Sequence, residues 1–218
     1  MNEVYIVPPC DRPVDILYAD AHLLFVHKPH LLLSVPGRHP ANRDCMISRV
    51  QESYPTATVV HRLDLDTSGV MVVPLQKAAH SHISRQFQER KVSKSYEAVV
   101  YGDLAEDSGE ISLPIATDWP NRPLQKICHE RGKSALTRYR VLHREPGRTR
   151  LLLTPTTGRS HQLRIHLAAI GHPILGCDLY AHADALAAAP RLLLHATHLG
   201  FEHPATGIWI EQRSAPEF

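Results

Sequence analysis

Apolar and polar positions fall into short blocks along most of the chain, and the period within each block predicts its element. Apolar runs at 16–18 and 23–26 flank Ala19-Asp20-Ala21-His22 and predict a β-hairpin that Lys28-Pro29 ends. Residues 31–37 form an apolar strand or loop closing in a turn. Asp44 then caps a short helix to Tyr54, before Pro55. Two apolar runs within 59–75 predict a pair of buried strands around a polar loop. In 77–90, Ala78, Ala79, Ile83 and Phe87 recur at helical spacing. Strands follow at 96–101, 135–142 and 149–153, the last two joined around Glu145-Pro146-Gly147. An acidic turn is expected at 102–110 and a long aperiodic loop at 114–133. Ser160 caps a helix at 161–170 that Gly171 stops. A short helix at 184–189 and strands at 192–198 and 208–212 complete the order. Residues 1–14, with three prolines, read as an N-terminal arm ahead of one unit at 15–218. The fold class is α+β, a mixed and mostly antiparallel sheet flanked by helices.

Composition narrows the possibilities. The 218 residues are 43% hydrophobic, enough for a sizeable core, and the formal net charge is only +2. Any affinity for a polyanion must therefore come from local clustering of cations. Cys10, Cys45, Cys128 and Cys177 form no Cys-x-x-Cys pair, so neither a zinc knuckle nor a redox dithiol is read from them. Free thiols suit a reducing cytoplasm. No N-terminal signal and no apolar window of membrane length is present, so no membrane partner is expected.

Candidate chemistry concentrates at 61–69, His61-Arg62-Leu63-Asp64-Leu65-Asp66-Thr67-Ser68-Gly69. A polar loop between buried strands holds side chains in fixed geometry. Asp64 lies near Arg62, while Thr67, Ser68 and Gly69 offer donors to a carboxylate or oxyanion. The plain alternative is a turn capped by Asp and Ser. Cations gather elsewhere as well. Arg38, His39 and Arg43 form one candidate phosphate contact, and Arg85, Arg90, Lys91 and Lys94 another. In 114–133, Trp119 stands with Arg122, Lys126, Arg131 and Lys133, one ring among four cations, a composition suited to gripping a folded RNA loop.

The 61–69 string resembles the signature of the RluA-type pseudouridine synthases, His-Arg-Leu-Asp followed two residues later by Thr-Ser-Gly. Lys94-Ser95-Tyr96-Glu97-Ala98 resembles that family's second motif. Gly158-Arg159-Ser160-His161-Gln162-Leu163-Arg164-Ile165-His166 resembles the third, and Arg191-Leu192-Leu193-Leu194-His195-Ala196 the motif after it. The resemblance runs over roughly 15–215. It implies a single pseudouridine synthase-type domain with a central catalytic cleft, isomerising uridines in structured RNA. The segment Asp118-Trp119-Pro120-Asn121-Arg122-Pro123 and the compact length resemble a member acting on both 23S rRNA and a tRNA anticodon stem-loop. The separate N-terminal RNA-binding domain that many members carry has no room here.

The implied roles are specific. Asp64 is the carboxylate that meets the ribose, Tyr96 stacks on and holds the base, and Arg164 keeps the carboxylate ionised. Arg62 fills the space that the extruded nucleotide leaves. His61, Trp119 and Arg122 complete the substrate-binding set, and His161, His166 and His195 organise neighbouring contacts. Asp66 lies at a position the family leaves free. Where the family places Asp, this chain has Cys177 followed by Asp178, which puts a supporting hydrogen bond in doubt. The isomerisation changes no oxidation state, so no cofactor and no metal is expected. A small enzyme of this sort is expected to work as a monomer. Two rivals stand beside it: a non-catalytic RNA-binding or ribosome-assembly module on the same fold, and a nucleoside hydrolase or glycosidase with Asp64 as nucleophile.

Overall fold

The computed structural model describes residues 5–218, so residues 1–4 of the expected arm lie outside the described residues. The described residues divide into two compact units, 5–94 with 196–217, and 95–195 with Phe218. Together they give an α+β fold whose strand pairings are mostly antiparallel.

The first unit is built on β1 (Asp15–Ala19), β2 (Leu23–Lys28) and β3 (Ser68–Pro74). Asp20 closes the first hairpin by accepting from the His22 and Leu23 N–H groups at 2.7 and 2.9 Å. All of β2 and β3 is buried, which is why both read as continuous apolar runs instead of alternating ones. Their register sets Leu24 opposite Val73 and Lys28 opposite Gly69. The strand β10 (Leu194–Glu202) enters this unit at Ala196 and pairs with β11 (Trp209–Arg213). Leu23, Phe25, Val70, Val72, Ile83, Leu199 and Phe201 form the core, with the Phe25 and Phe201 rings 5.4 Å apart. Burying each such side chain stabilises by roughly 1.5–3 kcal/mol.

Two helices pack beside these strands. Helix α1 (Met46–Ser53) starts one residue later than expected: Cys45 is the cap, its sulfur accepting from the Ser48 N–H. Asp44 instead pairs with Arg49 at 2.5 Å. Helix α2 (Lys77–Gln88) buries Ala79, Ile83 and Gln86, one helical stripe. Ala78 points outward, and the polar Gln86 takes a core position because its amide bonds both backbone groups of Glu202, at 2.8 and 2.9 Å. The arm's described part is tied down, with Asn42 and Arg49 bonding main-chain groups of Tyr5, Val7, Cys10 and Arg12.

The second unit places β4 (Ser93–Tyr101), β9 (Arg148–Pro155), β8 (Leu136–Glu145) and β5 (Ser108–Ser112) side by side, all antiparallel. The acidic stretch read as a turn is therefore partly strand, since Gly109 and Ile111 supply the inward positions of β5. The expected loop at 114–133 is also more ordered than its sequence suggests. It contains β6 (Ile115–Thr117) and β7 (Gln125–Ile127), paired, with a short 3-10 turn at Trp119–Asn121 and a cis peptide at Arg122-Pro123. Helix α3 (Gln162–Ala169) is capped by His161 in the left-handed region, φ 54°, and not by Ser160. A short α4 (Ala183–Ala187) follows.

Candidate functional site

Between 59 and 75 only β3 is a strand. Val59 and Val60 are half-buried but join no ladder, because the chain from 61 to 67 turns back on itself and is pinned by side chains from elsewhere. Ser34, itself buried, holds both backbone groups of Leu63: its hydroxyl donates to the carbonyl at 2.7 Å and accepts from the N–H at 3.1 Å. Lys28 is fully buried, and its ammonium donates to the carbonyls of Pro29, Leu32 and Leu65 at 2.8, 2.7 and 3.2 Å. The residues on either side of Asp64 are thus fixed through their main chain, and the Thr67 N–H closes the turn on the Asp64 carbonyl at 3.2 Å. The Asp64 side chain contributes none of these bonds, although they set its place.

His61 occupies a defined structural position. Its Nε2 accepts from the Val72 N–H at 3.1 Å, which places the ring proton on Nδ1, and the ring stacks on Phe87 with centroids 4.8 Å apart. Desolvation, helped by the Lys94 charge, pushes its pKa down to about 3, so the ring stays neutral. Lys94 is held below the ordinary lysine range by desolvation. Arg62 is exposed, and Asp64 is half-buried. At the loop's end Gly69 has φ +125°, and an added Cβ would sit 2.3 Å from the Ala196 carbonyl oxygen.

In the second unit, Tyr96 sits on β4 opposite Leu153 of β9, its side chain half-buried against the core of Ala98, Val100, Leu151 and Leu153. Arg164 lies on α3, which is buried all the way from Gln162 to Leu167. The polar residues on that helix are satisfied one by one. Gln162 donates to the Leu136 carbonyl and to Thr137 Oγ1, and accepts from Thr157 and the Arg159 N–H. His166 bridges Thr137 Oγ1 at 3.0 Å and the Leu113 carbonyl at 2.9 Å, and burial lowers its pKa.

The Arg164 guanidinium is only 2% exposed. Its Nε donates to Cys177 Sγ at 3.3 Å, its Nη2 pairs with Asp178, and its carbon lies 5.6 Å over the Tyr180 ring. The substitution at 177 therefore keeps a weak acceptor at that position, and the carboxylate one residue on supplies the ion pair. His161 and Arg164 both meet Tyr180, His161 through Nδ1 and the phenol oxygen at 2.7 Å. Sequence reading marked Cys177 and Asp178 only as a departure from the family pattern and gave Tyr180 no part, so their common hold on the arginine emerges from the structure.

The 115–127 hairpin presents Trp119, 67% exposed, with the Arg122 guanidinium 4.8 Å above its ring. Asp118 accepts from Asn121 at 2.9 Å and from Lys126 at 3.2 Å, which holds its carboxyl below the usual range and draws Lys126 to the turn. Arg131 and Lys133 are exposed. Of the other cations, Lys91 pairs with Glu89 at 2.7 Å, and His39 caps its own turn by accepting from the Ala41 N–H. Among the described residues no group of His, Cys, Asp and Glu could hold a metal ion, and no helix is long and apolar enough to cross a membrane.

Comparison with known proteins bears on this arrangement. The family model described as RNA pseudouridylate synthase matches residues 22–169. A protein of Yersinia pestis named dual-specificity RNA pseudouridine synthase RluA is 54% identical over 204 residues, covering 93% of this chain and 99% of that one. Its namesake in Escherichia coli (strain K12) is 52% identical over 201 residues, 92% of each chain. Among solved structures, human RNA pseudouridylate synthase domain containing 1 matches with a TM-score of 0.80 at 29% identity, over 97% of this chain and 86% of that one. The family match over residues 22–169, which include the loop that Ser34 and Lys28 brace and the helix that carries Arg164, and the identity to these relatives over more than nine-tenths of the chain place it in the RNA pseudouridylate synthase family.

Proposed function

We propose that this chain is an RNA pseudouridine synthase acting on two substrates, an anticodon-loop uridine of tRNA and a stem-loop uridine of 23S rRNA. The dual specificity named for its relatives and the complete 61–69 string support this reading. The observation that supports it best is the bracing of the main chain on both sides of Asp64, by Ser34 and by Lys28, which fixes the backbone from which its carboxylate projects.

The chemistry breaks the bond from uracil N1 to ribose C1′, turns the base, rejoins it through C5 and releases the C5 proton. Asp64 meets the positive character that develops on the ribose, by attack or by taking a ribose proton. Tyr96 stacks on the detached base and relays the C5 proton. Arg164, held by Cys177 and Asp178, supplies positive charge to the reaction. Arg62 stacks in the gap left by the extruded nucleotide, and Trp119 and Arg122 grip the RNA loop. His61 orders the loop that the substrate approaches. Since oxidation state does not change, the reaction requires neither cofactor nor metal. We place the enzyme in the cytoplasm as a monomer.

The test uses transcripts whose uridines carry tritium at C5. Asp64→Asn keeps the side chain's size while removing its charge, and the rate of tritium release is expected to fall at least ~1000-fold, a loss typical of removing a nucleophile. Equal rates for variant and parent would refute the reading. The hydrolase rival predicts free uracil and an abasic RNA, whereas isomerisation leaves the RNA mass unchanged. The non-catalytic rival predicts no tritium release from the parent protein. Pseudouridine mapping in a deletion strain, with and without the gene restored, tests the two targets.

A further inference from the structure

We infer that Tyr180 is a positioning residue that couples the RNA-gripping hairpin to the arginine of the active site. Three contacts converge on this one side chain. Its ring lies under the Arg164 guanidinium at 5.6 Å. Its hydroxyl accepts from the Gln125 N–H at 2.9 Å and bonds His161 Nδ1 at 2.7 Å. The ring also packs against two apolar clusters of its unit, that of Ala98 and Leu153 and that of Ile115, Ala135 and Ile165.

Gln125 gives the link its reach. It is the first residue of β7, paired with Thr117 of β6, and its side chain accepts from Thr117 Oγ1 at 3.2 Å and donates to the Pro123 carbonyl at 3.1 Å. The one residue therefore braces both arms of the turn that carries Trp119 and Arg122. A displacement of the tip is passed through the short β6–β7 ladder to the Gln125 N–H, from there to the phenol, and from the phenol ring to the guanidinium. His161, capping α3 in the left-handed region, fixes the phenol from the other side. The hydroxyl can serve both partners because it has two acceptor lone pairs and one donor proton. Loading of the tip by RNA is thereby tied to the placement of Arg164. The inference rests on the proposed function, since it assigns Trp119 and Arg122 to the RNA and Arg164 to the reaction.

The experiment measures kcat and KM with a folded stem-loop transcript for Tyr180→Phe, Tyr180→Leu and the Trp119→Ala/Arg122→Ala pair, and for Tyr180→Phe in the background of that pair. Tyr180→Phe keeps the ring and loses the hydroxyl. KM is expected to rise about 5-fold, the scale of one lost hydrogen bond, with kcat within about 2-fold. In the tip-less background the same substitution is expected to change KM less than about 2-fold, because the element it positions is gone. Tyr180→Leu, which removes the ring as well, is expected to lower kcat in addition. A KM unchanged in Tyr180→Phe, or raised equally in both backgrounds, overturns the inference. So does a fall in kcat that merely tracks the folded fraction read by circular dichroism, with KM constant. If Tyr180→Phe is too slow for kinetics, stem-loop Kd with and without the tip in the Asp64→Asn protein reads the same coupling, by the same criteria. An active Asp64→Asn refutes the proposed function. An inactive Asp64→Asn beside an unaltered Tyr180→Phe refutes only the coupling.

Discussion

Replacing Gly69 by Ala adds a single methyl group, and the structure leaves it no space. The backbone there has φ +125°, which L residues rarely adopt, and the new Cβ would lie 2.3, 2.5 and 2.8 Å from the oxygen, nitrogen and carbonyl carbon of Ala196. All three are main-chain atoms inside a strand, so no rotamer change relieves the clash. Ordinary contact requires the strands to part by about an ångström in an interior packed to crystal density. Backbone strain contributes about 1–3 kcal/mol and overpacking another 1–3 kcal/mol. The expected loss is about 2–6 kcal/mol, a large part of the 5–15 kcal/mol typical of a folded domain. Gly69 also faces Lys28 across the β2–β3 ladder, so the displacement reaches the ammonium that holds Leu65. Urea denaturation followed by circular dichroism gives the stability, and tritium release gives the activity. Gly147→Ala is the control: its φ of +75° is also positive, but nothing lies within 4 Å of the added methyl, so it is expected to lose only about 1–2 kcal/mol. If Gly69→Ala proves no less stable than Gly147→Ala, the packing argument fails.

Two further outcomes follow from the bracing of the loop. Lys28→Met leaves three carbonyls, two of them in buried bonds, short of a donor and is expected to cost about 2–4 kcal/mol, with kcat reduced more than about 10-fold in protein that still shows the parent's far-ultraviolet spectrum; unaltered kcat would mean that Leu65 does not need the ammonium. His61 has a folded pKa of about 3 against an ordinary 6.5, so the unfolded chain binds a proton that the folded chain refuses. Stability should therefore be intact above about pH 6.5 and fall as the pH drops toward 3, by about 2 kcal/mol between 6.5 and 5. His61→Asn removes that titration, and an identical pH slope in parent and variant, read by urea denaturation at pH 7.5 and 5, would contradict it.

The elements that were legible in the chain are those with one dominant period. The hairpin of Ile16 and Leu23, helix α2, and the β8–β9 pair follow from spacing and turn residues alone. The 61–69 string stood out because six polar residues and a glycine interrupt an apolar context. What stayed hidden depends on partners distant in sequence. Val59 and Val60 looked like a strand, but the Val72 N–H that a neighbouring strand could have used is taken by a His61 ring nitrogen. The three-residue strands at 115–117 and 125–127 are too short to show alternation. Asp44 and Ser160 had the right chemistry for caps, yet Asp44 found Arg49, and His161 took a backbone conformation that β-branched residues avoid but histidine tolerates. Lys28 after an apolar run resembles an exit to solvent. Only the three carbonyls converging on its ammonium show that it turns inward.

The bonds from Ser34 and Lys28 are all made to carbonyl and amide groups, and none depends on what side chain stands at 63, 64 or 65. The shape of the turn at 61–67 is thus encoded some thirty residues upstream of the string itself. A designer grafting those nine residues onto another scaffold would carry over the carboxylate without its clamp, and would have to transplant a hydroxyl and a sunken ammonium as well. Asp64→Asn is therefore expected to keep the form of the turn, and a stem-loop Kd equal to the parent's would show it.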